Sequence, residues 1–151
     1  MRLVPPTENH LLEMMTWFTT EQLLTDWAGP NFRFPFDQMT FCEDLKLKDL
    51  NSYALVSPND ELLGFGQFYQ RIGKCHLGRL VVNPSCRGQG YASNLITSLC
   101  NLGMRELKLN QCSLFVLAHN ASAMKAYKKF GFCEAIYPEP IGLDNCIYMV
   151  K

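Results

Sequence analysis

The stretch that most constrains this chain is Leu80-Val81-Val82-Asn83-Pro84-Ser85-Cys86-Arg87-Gly88-Gln89-Gly90-Tyr91-Ala92. Leu80 to Val82 read as a strand, Asn83-Pro84 breaks it, and Ala92, Leu95, Ile96, Leu99 and Leu102 follow at helical spacing. A turn that runs straight into a helix leaves the first-turn N–H groups without intrahelical partners, and with the helix dipole they suit an anion such as a diphosphate. Gly88 and Gly90 keep the backbone bare at that point, although glycine turns between a strand and a helix also occur without any ligand.

The flanking sequence sets the fold class. Arg2 to Val4 reads as a first strand, and Thr7 is placed to cap a helix from Glu8 to about Phe18 with Leu11, Met15 and Phe18 on one face. A second helix, Glu21 to Trp27, stops at Gly29-Pro30, and Asp37 caps a third, Gln38 to Lys48. Ser52 to Ser57, Leu62 to about Arg71 and Cys75 to Val82 are strands joined by short turns, so they are antiparallel. The helix after the glycine loop runs to about Leu107, and Gln111 to Ala118 returns as a strand, a crossover that makes a parallel pair. A helix from Ala121 to Phe130 ends at Gly131, and Phe132 to Tyr137 with Asn145 to Val150 form a closing hairpin. The class is α+β: a single domain over residues 1–151, with a central, mixed but mostly antiparallel sheet flanked by helices.

Composition narrows the function. With 14 basic and 14 acidic side chains the formal charge is zero, so no net field draws the chain to nucleic acid or anionic lipid. The apolar runs are far shorter than the roughly 20 residues of a spanning helix, and Met1-Arg2-Leu3-Val4-Pro5 is too soon broken for a signal peptide. Seven scattered cysteines, with no Cys-x-x-Cys pair, point to buried thiols in a reducing cytoplasm and to no metal. Cys75-His76 is the nearest approach to a ligand cluster, and adjacent strand residues face opposite ways.

About thirty residues beyond the loop comes His119-Asn120-Ala121-Ser122-Ala123-Met124-Lys125-Ala126-Tyr127-Lys128-Lys129-Phe130-Gly131-Phe132. The two segments together resemble the GNAT superfamily of acyl-CoA-dependent N-acetyltransferases. Its diphosphate loop, Arg/Gln-x-x-Gly-x-Gly/Ala, is met by Arg87, Gly90 and Ala92, and its later motif by Asn120, Tyr127, Gly131 and Phe132. The resemblance covers residues 77 to 133 or so; residues 1 to 60 match only in general arrangement.

The resemblance implies a parallel strand pair splayed at the sheet centre, with acetyl-CoA as acyl donor in the gap. Main-chain contacts would come from Leu80, Val81 and Val82, and the diphosphate would sit on Gly88, Gln89, Gly90, Tyr91, Ala92 and Ser93, with Arg87 at the loop entrance. Asn120 would touch the cofactor, and Tyr127 would stabilise the departing thiolate. On their own residues, Asn120 also reads as a helix cap and Tyr127 as a packed helix residue beside Phe130. Trp27, Arg33 and Phe34 have two readings as well, an acceptor pocket or a plugged core edge with a solvated cation.

The reaction implied is attack of a primary amine on the thioester in a ternary complex, and it calls for a neutral amine. Related bacterial enzymes acting on ribosomal protein N-termini tend to carry Glu on the strand over 111–118, where this chain has Phe115. His76 and Glu43 are the remaining base candidates. A weak base favours an acceptor of low amine pKa, a peptide N-terminus or an amino-acid α-amine, over lysine. Exposed strand edges leave room for a homodimer. Two rivals stand beside this reading: a non-catalytic acyl-CoA-binding or sensory module on the same fold, and a nucleotide-dependent oxidoreductase suggested by Gly88 and Gly90. The second is opposed by the antiparallel strands before the loop and by His119-Asn120 where an acidic ribose ligand is expected.

Overall fold

A computed structural model describes residues 1–151. In chain order the elements are β1 (Arg2–Val4), α1 (Glu8–Met15), α2 (Glu21–Ala28), α3 (Gln38–Asp44), β2 (Asn51–Val56), β3 (Leu62–Arg71), β4 (Lys74–Val82), α4 (Tyr91–Leu107), β5 (Cys112–Leu117), α5 (Ala121–Lys129), β6 (Cys133–Ala135) and β7 (Cys146–Val150), with one 3-10 turn at Pro84–Cys86. The strands form a single sheet in the order β1-β2-β3-β4-β5-β7-β6. Only β4 and β5 pair in parallel, because α4 carries the chain across between them; short turns make β2–β3 and β3–β4 antiparallel, and β1–β2, β5–β7 and β6–β7 are antiparallel across longer connections.

The parallel pair is short. It holds at Cys75↔Cys112, His76↔Ser113 and Leu77↔Leu114 and goes no further. Beyond that point β5 keeps β7 as its partner as far as Leu117↔Cys146, and β4 keeps β3 as far as Val82↔Gly64. Between Phe65↔Val81 and Gln67↔Gly78 the ladder takes an extra residue on β4, with Arg79 in the left-handed region at φ 49°. Such a bulge bends its strand and raises the local twist, and here it turns the end of β4 away from β5.

Two apolar layers cover the sheet. On one face α4 buries Leu95, Ile96 and Leu99 against Phe68, Leu77 and Leu114; on the other α1 to α3 bury Leu11, Met14, Leu24 and Phe41 against Ala54 and Phe65. The helices begin where the sequence places their caps: Thr7 accepts from the His10 amide, Asp37 from the Thr40 amide and Asn120 from the Ala123 amide.

Three element ends differ from expectation. α1 stops at Met15, where Thr16 bonds back to the Glu13 carbonyl at 2.6 Å, and Met14 rather than Met15 joins Leu11 in the core. α3 stops at Asp44 rather than Lys48, because Gln67 takes the Leu45 carbonyl at 2.7 Å and Lys46 enters the left-handed region. The strand expected from Phe132 to Tyr137 shrinks to Cys133–Ala135, and its hairpin partner β7 is the strand that lies beside β5.

Glycines on β3 let both β4 and α4 approach closely. A Cβ at Gly64 would stand 2.8 Å from the Val81 carbonyl oxygen, a backbone atom with nowhere to go, whereas one at Gly142 would meet nothing within 4 Å. Gly64→Ala is therefore expected to cost about 1–3 kcal/mol, as overpacking does, and Gly142→Ala less than about 0.5 kcal/mol. Urea unfolding of both variants checks the difference.

Candidate active site

Where β4 and β5 part, a cleft crosses the sheet as two joined chambers of about 580 and 950 Å³. They share Leu80, Val81, Val82, Arg87, Asn120 and Tyr127. The first lies between the N-terminus of α4 and α5; the second lies under α2 and the loop before β7.

The floor of the first chamber is built for an anion. Gly88 (φ 80°) and Gly90 (φ 84°) turn the chain into α4, whose N-cap, Gly90, offers no side chain to the first-turn amides. A Cβ on either glycine would meet nothing within 4 Å, so the loop is open on its outer side. Those free amides, the helix dipole, Arg87 and Lys129 fit the diphosphate of an acyl-CoA. Asn83 fixes the loop: its Oδ1 accepts from the Ser85 amide and hydroxyl at 3.0 and 2.8 Å, and its Nδ2 donates to the Leu62 carbonyl and to Glu13 at 2.9 and 3.0 Å.

Tyr127 lines both chambers where they join, and its ring packs edge-on to Phe132. Burial alone pushes its hydroxyl up to about 12, with no charge or hydrogen bond to offset it. Asn120 does what a cap does and still lines both chambers.

One wall of the second chamber is aromatic. Phe115 stands 4.7 Å from the His76 ring and 5.2 Å from Tyr137, with the Arg71 guanidinium 5.0 Å above it. His76 is buried, hydrogen-bonded through Nδ1 with the Ser113 hydroxyl at 2.8 Å, and burial with Arg71 nearby pushes it down to about 3. It therefore faces the cleft as a neutral ring and a feeble base. Cys75, its neighbour, points to the opposite layer against α4, as strand alternation requires. Across the chamber, His119 Nε2 lies 3.1 Å from Asp26 Oδ1 on α2. An Nε2–H donated to that carboxylate leaves Nδ1 as the nitrogen with a free lone pair.

Of the residues singled out from sequence, Leu80, Val81, Val82, Arg87, Gly88, Gly90, Tyr91, Ala92, Ser93, Asn120 and Tyr127 line the first chamber, and Gln89 sits exposed on the same loop. Trp27 and His76 line the second. Arg33, Phe34 and Glu43 do not reach it: Arg33 donates to Glu43 at 2.8 Å and to both oxygens of Asp44, and Phe34 packs on Phe36. Glu43 lies on the exposed side of α3, bound by Arg33 and outside the lining of both chambers, so the structure does not support it as a base for the cleft. Sequence reading passed over Asn83, Lys129, Gln67, Arg79 and the Asp26–His119 pair. Lys129 at the end of a helix that begins at the Asn120 cap was legible; the others depend on partners 12 to 93 residues away.

Residues 12–132 match the acetyltransferase (GNAT) family. Among solved structures, the spermidine N-acetyltransferase of Vibrio cholerae, in complex with CoA and spermine, superposes with a TM-score of 0.75 at 17% identity over 99% of this chain and 94% of that one. A single-site variant of the Vibrio cholerae enzyme gives 0.74 at 16% over 99% and 92%. A Klebsiella pneumoniae protein classed as an acyl-CoA N-acyltransferase gives 0.67 at 18% over 99% and 94%. At these identities the likeness is one of fold.

The buried His76 ties stability to pH. Its ordinary value is 6.5 and its folded value about 3, so below pH 6.5 the unfolded chain binds a proton that the folded chain refuses, and stability falls with pH. Between pH 7 and 5 this amounts to about 2 kcal/mol, and the loss continues toward pH 3. In His76→Gln that part of the slope should vanish, which urea unfolding at pH 7 and 5 will show.

Proposed function

The chain is a member of the GNAT acetyltransferase family, and from that premise we propose that it transfers an acetyl group from acetyl-CoA to a primary amine. The observation that carries this reading is the continuity of the cleft: an anion cradle at one end, a chamber for a second substrate at the other, and Tyr127 lining both.

The proposed division of labour follows from placement. The amides of Gly88 to Ser93, with Arg87 and Lys129, hold the diphosphate, and the unpaired edge of β4 at Leu80 to Val82 offers backbone groups to the acyl-bearing arm. The acceptor nitrogen attacks the thioester carbonyl carbon, the C–S bond breaks, and the thiolate leaves. Tyr127 donates a hydrogen bond to the leaving sulfur. The amine's proton goes to His119, held by Asp26, directly or through water.

The Vibrio relative holds spermine. In this chain the second chamber has a single carboxylate, Asp26, already hydrogen-bonded to His119, and it also carries Arg79 and Arg87. That balance disfavours a polycation and favours an amine with one positive charge at most. At pH 7 an α-amine near pKa 7.7 is neutral roughly once in six molecules and a lysine amine about once in 2,500, so an acceptor of low amine pKa gains most from a single exposed histidine as base.

Acetyl transfer to a panel of amines, followed by CoA release, tests the reading. Tyr127→Phe should lower kcat by about 100-fold while acetyl-CoA still raises Tm, the loss typical of one transition-state hydrogen bond. A protein that binds acetyl-CoA but acetylates no amine would be a binding module instead. His119→Gln should reduce kcat/KM by about 100-fold at pH 7, and the deficit should shrink as pH rises through the acceptor's own pKa, because the amine then arrives already neutral.

A further inference from the structure

His76 turns a single polar atom toward the second chamber. Its ring stands between Tyr69 and Phe115, at 5.3 and 4.7 Å between ring centres, and all three line that chamber. Nδ1 is engaged from behind by the Ser113 hydroxyl at 2.8 Å. Ser113 is fully buried, and its hydroxyl has no other partner. Were the ring proton on Nδ1, that hydroxyl would be a sealed donor without an acceptor. The serine therefore donates to Nδ1, and the neutral ring carries its own proton on Nε2. The polar atoms sealed from solvent and left without partners are Trp27 Nε1, Arg79 Nε and the Tyr148 hydroxyl. His76 Nε2 is not among them: it has no partner in the protein but keeps surface toward the chamber.

The result is a fixed, uncharged donor in an aromatic wall, suited to a carbonyl oxygen rather than to a carboxylate. Its place sets the length of what it can bind. Phe115, Leu117 and His119 follow one another along the chamber, and the stretch from Phe115 to His119 covers about 13 Å at a strand's rise of about 3.3 Å per residue. A single amino acid cannot bridge that span, whereas an extended peptide of about three or four residues does, with a carbonyl at every step. A peptide with apolar first side chains also brings an α-amine of low pKa and only one positive charge. Resting on the acetyltransferase reading above, we infer that the acceptor is a peptide N-terminus, its amine at His119 and Tyr127 and a backbone carbonyl about three residues on accepting from His76 Nε2–H.

The test compares alanine amide and the amides of di-, tri- and tetra-alanine with alanine N-alkylamides of matching length, which keep the α-amine and the reach but lack the distal carbonyls. In the wild type kcat/KM should rise about 10-fold between alanine amide and the tri- or tetrapeptide, mainly through KM, and the alkylamides should not share the rise. In His76→Phe, which keeps the aromatic packing, the ratio of tetrapeptide to alanine amide should fall to that of the matching alkylamide. Ser113→Ala, which frees Nδ1 and with it the tautomer, should lower the ratio part of the way. A flat length series in the wild type would overturn the inference, as would an equal rise with the alkylamides, an unchanged ratio in His76→Phe, or acetylation confined to amines that are not peptides. The acetyltransferase reading would survive each of these. A second readout needs no turnover: tetra-alanine amide should raise the Tm of the CoA-loaded wild-type protein more than the alkylamide does at the same concentration, and equal shifts would also overturn the inference. Failure of CoA itself to raise Tm would instead strike the underlying reading.

Discussion

The separation of β4 from β5 is the constraint on which the site depends. A continuous parallel pair would spend the backbone groups of Leu80 to Val82 on β5 and close the sheet, leaving no passage between its faces. Three features hold the strands apart. β7 engages β5 along its length, the bulge at Arg79 re-aims the end of β4, and Asn83 ties the following loop to β3 and α1. Exposed ladder groups of this kind are the natural partners of an extended, amide-bearing ligand, since each net hydrogen bond contributes about 1 kcal/mol.

A buried polar relay sits behind the bulge. Gln67 joins the end of α3, β2 and β4 through three hydrogen bonds, and it does so where an apolar side chain would pack more simply. Leaving any one of those buried groups unmatched costs about 1–3 kcal/mol. The relay therefore fixes the left-handed turn at Arg79 and the early end of α3 together: a change at Gln67 is felt both in the core and at the cleft.

How much of this was legible in the sequence follows from the range of each interaction. The loop from Asn83 to Tyr91, the caps at Thr7, Asp37 and Asn120, and the antiparallel run of β2 to β4 depend on neighbours a few residues apart, and all are found where reading placed them. Sequence left Arg33 between an acceptor pocket and a solvated cation at a core edge because its partners, Glu43 and Asp44, come from the next helix, and composition gives no sign that an exposed cation will be held there. Arg79 looked like any strand residue, since neither its left-handed backbone nor the far-off Gln67 leaves a local mark. Asp26 and His119 are 93 residues apart and meet because α2, packed near β4, brings Asp26 to the loop that follows β5.

Proton accounting then limits which groups do chemistry. Moving a proton from Tyr127, pushed up to about 12, to a thiolate near 8.5 is uphill by about 5 kcal/mol. In the proposed reaction Tyr127 would therefore give a hydrogen bond to developing charge rather than transfer its proton fully, and the same high value keeps the donor protonated at neutral pH. On the aromatic wall, His76 at about 3 would take a proton from an α-ammonium near 7.7 only at a cost of about 6 kcal/mol. Phe115 and Phe18 can take none. The base of the proposed reaction stands on the other side of the chamber, where β5 ends and α5 begins. His119 occupies that position, one residue before the Asn120 cap that starts the helix carrying Tyr127, so in the proposed reaction the groups that would take up the amine's proton and steady the thiolate are set by one short segment of chain.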